Sequence, residues 1–391
     1  MNYFTKIRRI SPFLRNISYL KTEPISKIRG NDSIKIINKT DFKKKFVILG
    51  LLGGGILLGG SNLLCKVKRE QNSIEDRIYS IQFAANKPNE DTLSTYQIKK
   101  EDKNYGYYAS VFDGHGGWQL SEYVKKNLHL FFQEELDITK EIPIALENAY
   151  NKAEKTFLDA ARLCYSFGFA NSAYVGACAL TAIVQDNKIY TACAGDCKSF
   201  IFKKEGNEYK AIKSNKPFNA NKKSEQKRLK NIFKDEDDVI NCVKEKACYV
   251  KGALMATRTI GDFRLKYSEF NIREHGSEYG FRRPINKFTG PYVNPKPDIK
   301  SFEINENDHF MILGTDGLWD EISLAEVCKI VQEFSDKPES IPHKLLDKAI
   351  GNAAEKAKIP KEILMNIEFP GDRRQIHDDI AIIVLDLRDQ I

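Results

Sequence analysis

Along this chain the spacing of apolar residues switches repeatedly between two and three or four, so strands and helices are expected to alternate. Tyr107, Ala109 and Val111 interleave with Tyr108, Ser110 and Phe112, the period of a strand with two distinct faces. Leu120, Val124, Leu128 and Phe131 then recur at helical spacing. Residues 177–184, 189–194 and 199–203 are short β-rich runs joined by Asp186-Asn187 and Gly195-Asp196, which predicts an antiparallel meander. Residues 310–314 predict another strand, followed by a helix with Val327, Ile330, Val331 and Phe334 on one face, and residues 380–387 predict a closing strand. The stretches 203–251 and 267–300 are polar, lysine-rich and interrupted by proline, the pattern of surface insertions.

One segment has no such alternation. Residues 46–65 read FVILGLLGGGILLGGSNLLC, an uncharged run between Lys43-Lys44-Lys45 and Lys66, Lys68 and Arg69. That length predicts a single transmembrane helix, and its glycines at 50, 53, 54, 55, 59 and 60 suit close packing on another membrane helix. A buried hairpin in a soluble domain is the other reading. The organisation expected is a basic arm (1–45), the span (46–65), a linker (66–73) and a folded domain (74–391).

Charge sharpens this division. The net charge of +8 is concentrated in residues 1–45, where twelve Lys and Arg face three acids, 12 − 3 = +9, leaving 8 − 9 = −1 for the remainder. A near-neutral body argues against a nucleic-acid partner. The arm resembles a mitochondrial presequence, with Lys6, Arg8, Arg9 and Arg15 among Ile10, Phe13, Leu14, Ile17 and Leu20; a retained basic tail is the alternative. Together the arm and span predict a single-pass protein of the mitochondrial inner membrane, in contact with lipid and with an inner-membrane protein complex through residues 1–65. Both flanks of the span are basic, so the side of the membrane on which the domain lies stays open. The cysteines show no CxxC pair or zinc-like spacing, so reduced core thiols are expected.

The candidate chemistry lies in acids that abut predicted strands: Glu90 and Asp91, Asp113, Asp196, Asp262, Asp316 and Asp320, and Asp378 and Asp379. Asp113-Gly114 alone reads as a hairpin signal. So many carboxylates at strand ends would raise one another's pKa unless cations lay among them. Oxygen donors without a His or Cys cluster favour Mg²⁺ or Mn²⁺ over Zn²⁺, and two such ions can activate a water for attack on phosphorus. Metal-assisted phosphoester hydrolysis is the reaction class these residues suggest.

In order along the chain, ANKPNED (85–91), VFDGHGG (111–117), GACALTA (176–182), CAGDCKSF (193–200), ALMATRTIGDF (253–263), FMILGTDGLWD (310–320) and HDDIAIIV (377–384) resemble the metal-dependent protein phosphatases, the type-2C serine/threonine phosphatases. That resemblance implies an α+β fold, a four-layer α-β-β-α sandwich of two antiparallel sheets flanked by helices, with two Mg²⁺ or Mn²⁺ ions at one end and a phosphoprotein substrate. It implies that Asp113 bridges both ions, that Asp316 and Asp378 complete one, and that Glu90 and the Gly114 carbonyl complete the other. Asp91 would orient a metal-bound water, His115 would protonate the leaving oxygen, and Asp196 and Asp320 would hold a third, weaker ion. Asp378 is favoured over Asp379 as the ligand. Arg258 and Asp262 are read as a structural ion pair, Trp118 and Trp319 as core, and Thr181 and Cys178 as packing. Asn86 stands where many members have a phosphate-gripping arginine. It gives a neutral contact and, with Asn219-Ala220, Glu225, Arg228, Leu229 and Gly290-Pro291-Tyr292 with Pro297, resembles the pyruvate dehydrogenase phosphatase branch. The alternative is a phosphatase-fold accessory subunit of an inner-membrane complex, with reduced or no catalysis.

Overall fold

The computed structural model describes residues 77–100, 103–243, 247–271, 284–285, 287–367 and 373–388. The expected arm, span and linker lie outside these residues. Among the described residues no helix is long and apolar enough to cross a membrane.

The strands in chain order are β1 (Ile78–Phe83), β2 (Thr92–Lys100), β3 (Lys103–His115), β4 (Gly176–Gln185), β5 (Lys188–Ala194), β6 (Lys198–Glu205) and β7 (Glu208–Lys213). They continue with β8 (Ile240–Val243), β9 (Ala247–Val250), β10 (Ile260–Gly261), β11 (Asp298–Glu303), β12 (Asp308–Gly314) and β13 (Ile380–Asp386). The helices are α1 (Gln119–Thr139), α2 (Ile142–Ser166), α3 (Lys223–Ile232), α4 (Asp316–Trp319), α5 (Leu324–Glu333), α6 (Ile341–Ala357) and α7 (Lys361–Asn366). One sheet runs β1-β13-β12-β6-β7 and the other β11-β5-β4-β3-β2, with β10 on β4. Every pairing in both is antiparallel.

The period-two pattern explains the layers. On β3, Ala109 and Val111 face the other sheet while Tyr108 and Phe112 face α1 and α2. On β13, Ala381, Ile383 and Leu385 point between the sheets, and Ile380, Ile382 and Val384 point at α5 and α6. Strands covered on both faces read as nearly continuous apolar runs. The result is the α-β-β-α sandwich expected from the sequence. On α1 the buried apolar stripe runs through Leu120, Val124, Leu128, Phe132 and Leu136, so Phe132 takes the core position expected of Phe131, which is only partly buried.

Three expectations are corrected. The meander breaks after β5: β6 leaves for the other sheet, pairing with β12 and β7. The crossing is made at Gly195, whose φ of +137° and approach to the Cys178 side chain leave no room for a Cβ. Residues 203–251 are not simply an insertion, since β7 extends a core sheet, while α3, β8 and β9 build a small separate core with Leu265, Tyr292 and Val293. Finally, Cys242 and Cys248 form a disulfide; they face each other across the β8–β9 hairpin. Cys164, Cys178, Cys193 and Cys197 are free and buried, as expected.

Candidate active site

Antiparallel register gathers the acids at one rim. Thr92 at the start of β2 pairs with Phe112 near the end of β3, and Asp113 pairs with Cys178 near the start of β4. In the opposite sheet, Lys198 at the start of β6 pairs with Gly314 at the end of β12, which pairs with Ile382 near the start of β13. Glu90-Asp91, Asp113, Asp196, Asp316 and Asp378 therefore all emerge at the same end of the sandwich. Close packing fixes them: a Cβ on Gly114 would strike the Glu90 carbonyl, and one on Gly317 would strike the Asp379 carbonyl.

Electrostatics records how near they are. Burial, then Asp316, Asp91, Asp196 and Asp378, hold the Asp113 carboxyl well above the usual range. Asp91 is likewise held well above it, by burial against the pull of a Thr315 hydrogen bond, with Asp378, Asp379 and Asp316 adding to the rise. Asp316 is pushed up to about 8 by burial, Asp196, Asp378 and Asp320. Glu90 is raised by burial and Asp379, and Asp378 by burial despite Arg374. Asp91 Oδ2 is buried without a partner among the described residues. An orphaned carboxylate oxygen among mutually repelling acids fits a site for hard divalent cations.

Asp113, Cys178 and Asp196 bring one donor atom each within 4.8 Å of one another. Cys178 is thus part of the rim as well as of the core. Burial and the neighbouring Asp196 and Asp113 push its thiol up, and the protonated Sγ donates to Asp196 Oδ1 at 3.1 Å. Asp196 Oδ2 accepts from Asn219 Nδ2 at 2.7 Å. Asp320 is largely exposed and lies 3.7 Å from Lys198 Nζ. Of the pair read as a third ion site, both Asp196 oxygens are thus engaged, by Cys178 and Asn219, while one oxygen of Asp320 faces Lys198.

His115 pairs with Asp262, Nε2 to Oδ2 at 2.8 Å. Burial pulls the imidazole pKa down, but the charge and hydrogen bond of Asp262, followed by Asp196 and Glu90, outweigh it and leave it raised. The sequence reading paired Asp262 with Arg258, and this is corrected: Arg258 stacks 3.8 Å from the Phe218 ring centroid and donates to the Lys296 carbonyl at 2.8 Å. Asp262 is set by a buried frame in which Glu154 accepts from the Gly261 amide at 2.8 Å and from Lys266 Nζ at 2.7 Å. Trp319 is core, donating to the carbonyls of Lys198 and Gly314, whereas Trp118 is only half-buried at the start of α1.

Asp379 is the support of the 85–90 loop. Its Oδ1 accepts the amides of Ala85 and Asn86 at 2.5 and 2.8 Å, and its Oδ2 accepts Asn86 Nδ2 at 3.0 Å and the Glu90 amide at 2.8 Å. Asp378 is left facing the rim, paired with Arg374 at 2.6 Å. The Asn86 amide group thus braces its own loop, so the geometry lends no weight to a phosphate contact there. The guanidinium at the rim belongs to Arg374. Its sequence signal, a basic residue four positions before Asp378, went unread.

A family model described as protein phosphatase 2C matches residues 82–357. The chain belongs to the protein phosphatase 2C family. It is 31% identical over 287 residues to probable protein phosphatase 2C 79 of Arabidopsis thaliana, covering 72% of each chain. It is also 31% identical over 284 residues to probable protein phosphatase 2C 67 of the same plant, covering 72% of this chain and 74% of that one. Among solved structures, a serine-threonine phosphatase 2C from Toxoplasma gondii superposes with a TM-score of 0.55 at 15% identity, over 79% of this chain and 93% of that one. A C. elegans sex determining protein gives 0.56 at 16%, over 80% of this chain and 65% of that one. At these identities the structures bear on fold alone, the antiparallel sheets flanked by helices. With its protein phosphatase 2C domain the chain is a protein serine/threonine phosphatase, and metal dependence is a property of that family.

Proposed function

We propose that the rim hydrolyses phosphoserine and phosphothreonine with two Mg²⁺ or Mn²⁺ ions. The observation that carries this is the convergence of Glu90, Asp91, Asp113, Asp316 and Asp378 from four separate stretches, with Asp91 Oδ2 buried and unpartnered. Asp113, Asp316 and Asp378 would hold one ion, and Asp113, Glu90 and the Gly114 carbonyl the other. When bound, such ions supply a nucleophile at neutral pH and neutralise charge on the phosphate. Asp91 Oδ2 accepts a hydrogen bond from the attacking water and orients it. Arg374 offers its guanidinium to the phosphate oxygens. His115, held by Asp262, donates its proton to the departing serine or threonine oxygen.

The test is phosphate release from a phosphoserine peptide by the full chain with Mn²⁺. Release is expected to stop with EDTA, and Arg374→Ala is expected to raise KM about tenfold, from the loss of one charge-assisted contact. Release undiminished by EDTA would defeat the two-ion reading. Placement in the mitochondrial inner membrane remains supported by the composition of residues 1–65 alone, and the pyruvate dehydrogenase phosphatase likeness by Asn86, Asn219 and Tyr292. Protease protection in mitoplasts tests the former.

A further inference from the structure

On its Asp196 side the acidic rim adjoins a surface of opposite charge. Lys198 opens β6, Lys213 ends β7, Lys216 follows it, and Lys222 precedes α3. The loop that carries the last two is fastened to the rim. The Phe218 amide donates to the Gly195 carbonyl at 2.8 Å, Asn219 Nδ2 to Asp196 at 2.7 Å, and the Lys222 amide to the Asn219 carbonyl at 3.0 Å.

The lysines are close enough to oppose one another. Burial, then Lys222, Lys198 and Lys300, pull the Lys213 ammonium below its ordinary pKa. Burial, then Lys198 and Lys216, do the same to Lys222, with Asp196 pulling the other way. Few carboxylates compensate. Lys198 has the exposed Asp320 at 3.7 Å. Lys216 has Glu225 at 4.0 Å, already engaged by Arg228 at 2.7 Å and Thr257 at 2.8 Å. Among the described residues Lys213 and Lys222 make no ion pair. Residues 46–391 carry a net charge of 8 − 9 = −1, so this cluster is a local feature and not one face of a basic body.

We propose that Lys198, Lys213, Lys216 and Lys222 form a docking surface for acidic or additionally phosphorylated residues that flank the phosphoserine or phosphothreonine at the rim. This rests on the phosphatase reading and names the substrate class for the same site. Adjacency selects the occupant. Asp196 touches both surfaces, since its carboxylate lies within 4.8 Å of the Asp113 carboxylate and the Cys178 thiol and also acts on Lys222. A uniform polyanion laid over this end would set phosphates against the rim carboxylates. A phosphopeptide delivers one phosphate to the ion-binding rim and its acidic flank to the lysines, matching both signs.

The experiment uses the full chain with Mn²⁺ and two phosphoserine peptides that differ only in Asp against Asn at the flanking positions. The wild type is expected to show a kcat/KM about tenfold higher for the acidic peptide, carried by KM and diminished by salt. Lys213→Glu/Lys222→Glu is expected to abolish that preference while hydrolysing the neutral peptide at the wild-type rate, which also shows that the variant folds. Equal cleavage of both peptides by the wild type would overturn the docking surface and leave the phosphatase reading standing. Cleavage of neither would defeat both. Loss of binding to phosphatidylserine vesicles by the variant, with its peptide preference intact, would assign the lysines to a membrane surface instead.

Discussion

Asp262 adopts φ +51°, ψ +42°, a left-handed conformation that aspartate tolerates better than most side chains. The turn is closed on both sides: the Asp262 amide donates to the Val175 carbonyl at 2.9 Å, and a Cβ on Gly176 would collide with both Asp262 and His115. A side chain held this firmly on an imidazole orients it, and that orientation matters most when the leaving group is a poor one. Asp262→Ala is therefore expected to lower kcat on a phosphoserine peptide about 10- to 100-fold, and His115→Ala about 10²- to 10⁴-fold. Both should cost far less on an activated aryl phosphate, whose leaving oxygen needs no proton. Equal losses on the two substrates would show that His115 does not protonate the leaving group.

At the scale of elements, two contacts between neighbours make opposite demands. Glu154 on α2 and Lys266 beyond β10 form a buried pair at 2.7 Å. Burial outweighs Lys266 and leaves the Glu154 carboxyl above its ordinary range, so the pair positions the Asp262 turn more than it stabilises the fold. Lys266→Met should destabilise by about 3–5 kcal/mol by stranding the carboxylate, and Glu154→Gln in the same chain should restore part of that. Urea unfolding of the single and double variants measures both. The α5 cap behaves differently. Ser323 and Glu326 form a reciprocal capping box, and hydrogen bonds from Ser323 and then Lys348 lower Glu326 to about 2 from 4.5. A carboxyl depressed on folding contributes stability above its unfolded pKa and loses it as pH falls through the folded one. Glu326→Gln should thus lower Tm at pH 7 and converge with the wild type as pH falls from about 4.5 to 2. A Tm difference constant with pH would show the cap carries no charge-dependent stability.

For the molecule as a whole, the two sheets press carboxylates together at one end, and relief of their repulsion should appear as stability. Mn²⁺ at about 100 times its Kd is expected to stabilise the fold by about 2.7 kcal/mol, and EDTA to remove that gain. Calorimetry checks it, and a Tm indifferent to Mn²⁺ would contradict it. Much of this architecture was legible in the sequence, because strands covered on both faces announce themselves: Tyr108 and Phe112 share the face the alternation gave them, and Ile382 and Ile383 lie buried in the closing strand expected over 380–387. The acids were legible as a group because each abuts a strand end. The partners were not. That Asp262 serves His115, that Asp379 braces Asn86, and that β6 crosses between sheets depend on contacts between residues far apart in the chain, which no local period encodes. The Cys242–Cys248 bridge was missed for a related reason, since only the hairpin register sets the two side by side. The most direct test of the whole is the anomalous scattering of Mn²⁺ in crystals of the protein. Two peaks about 3.5–4 Å apart, both against Asp113 and divided between Asp316-Asp378 and Glu90-Gly114, are predicted; no peak at Asp113, or manganese only between Asp196 and Asp320, would contradict the account.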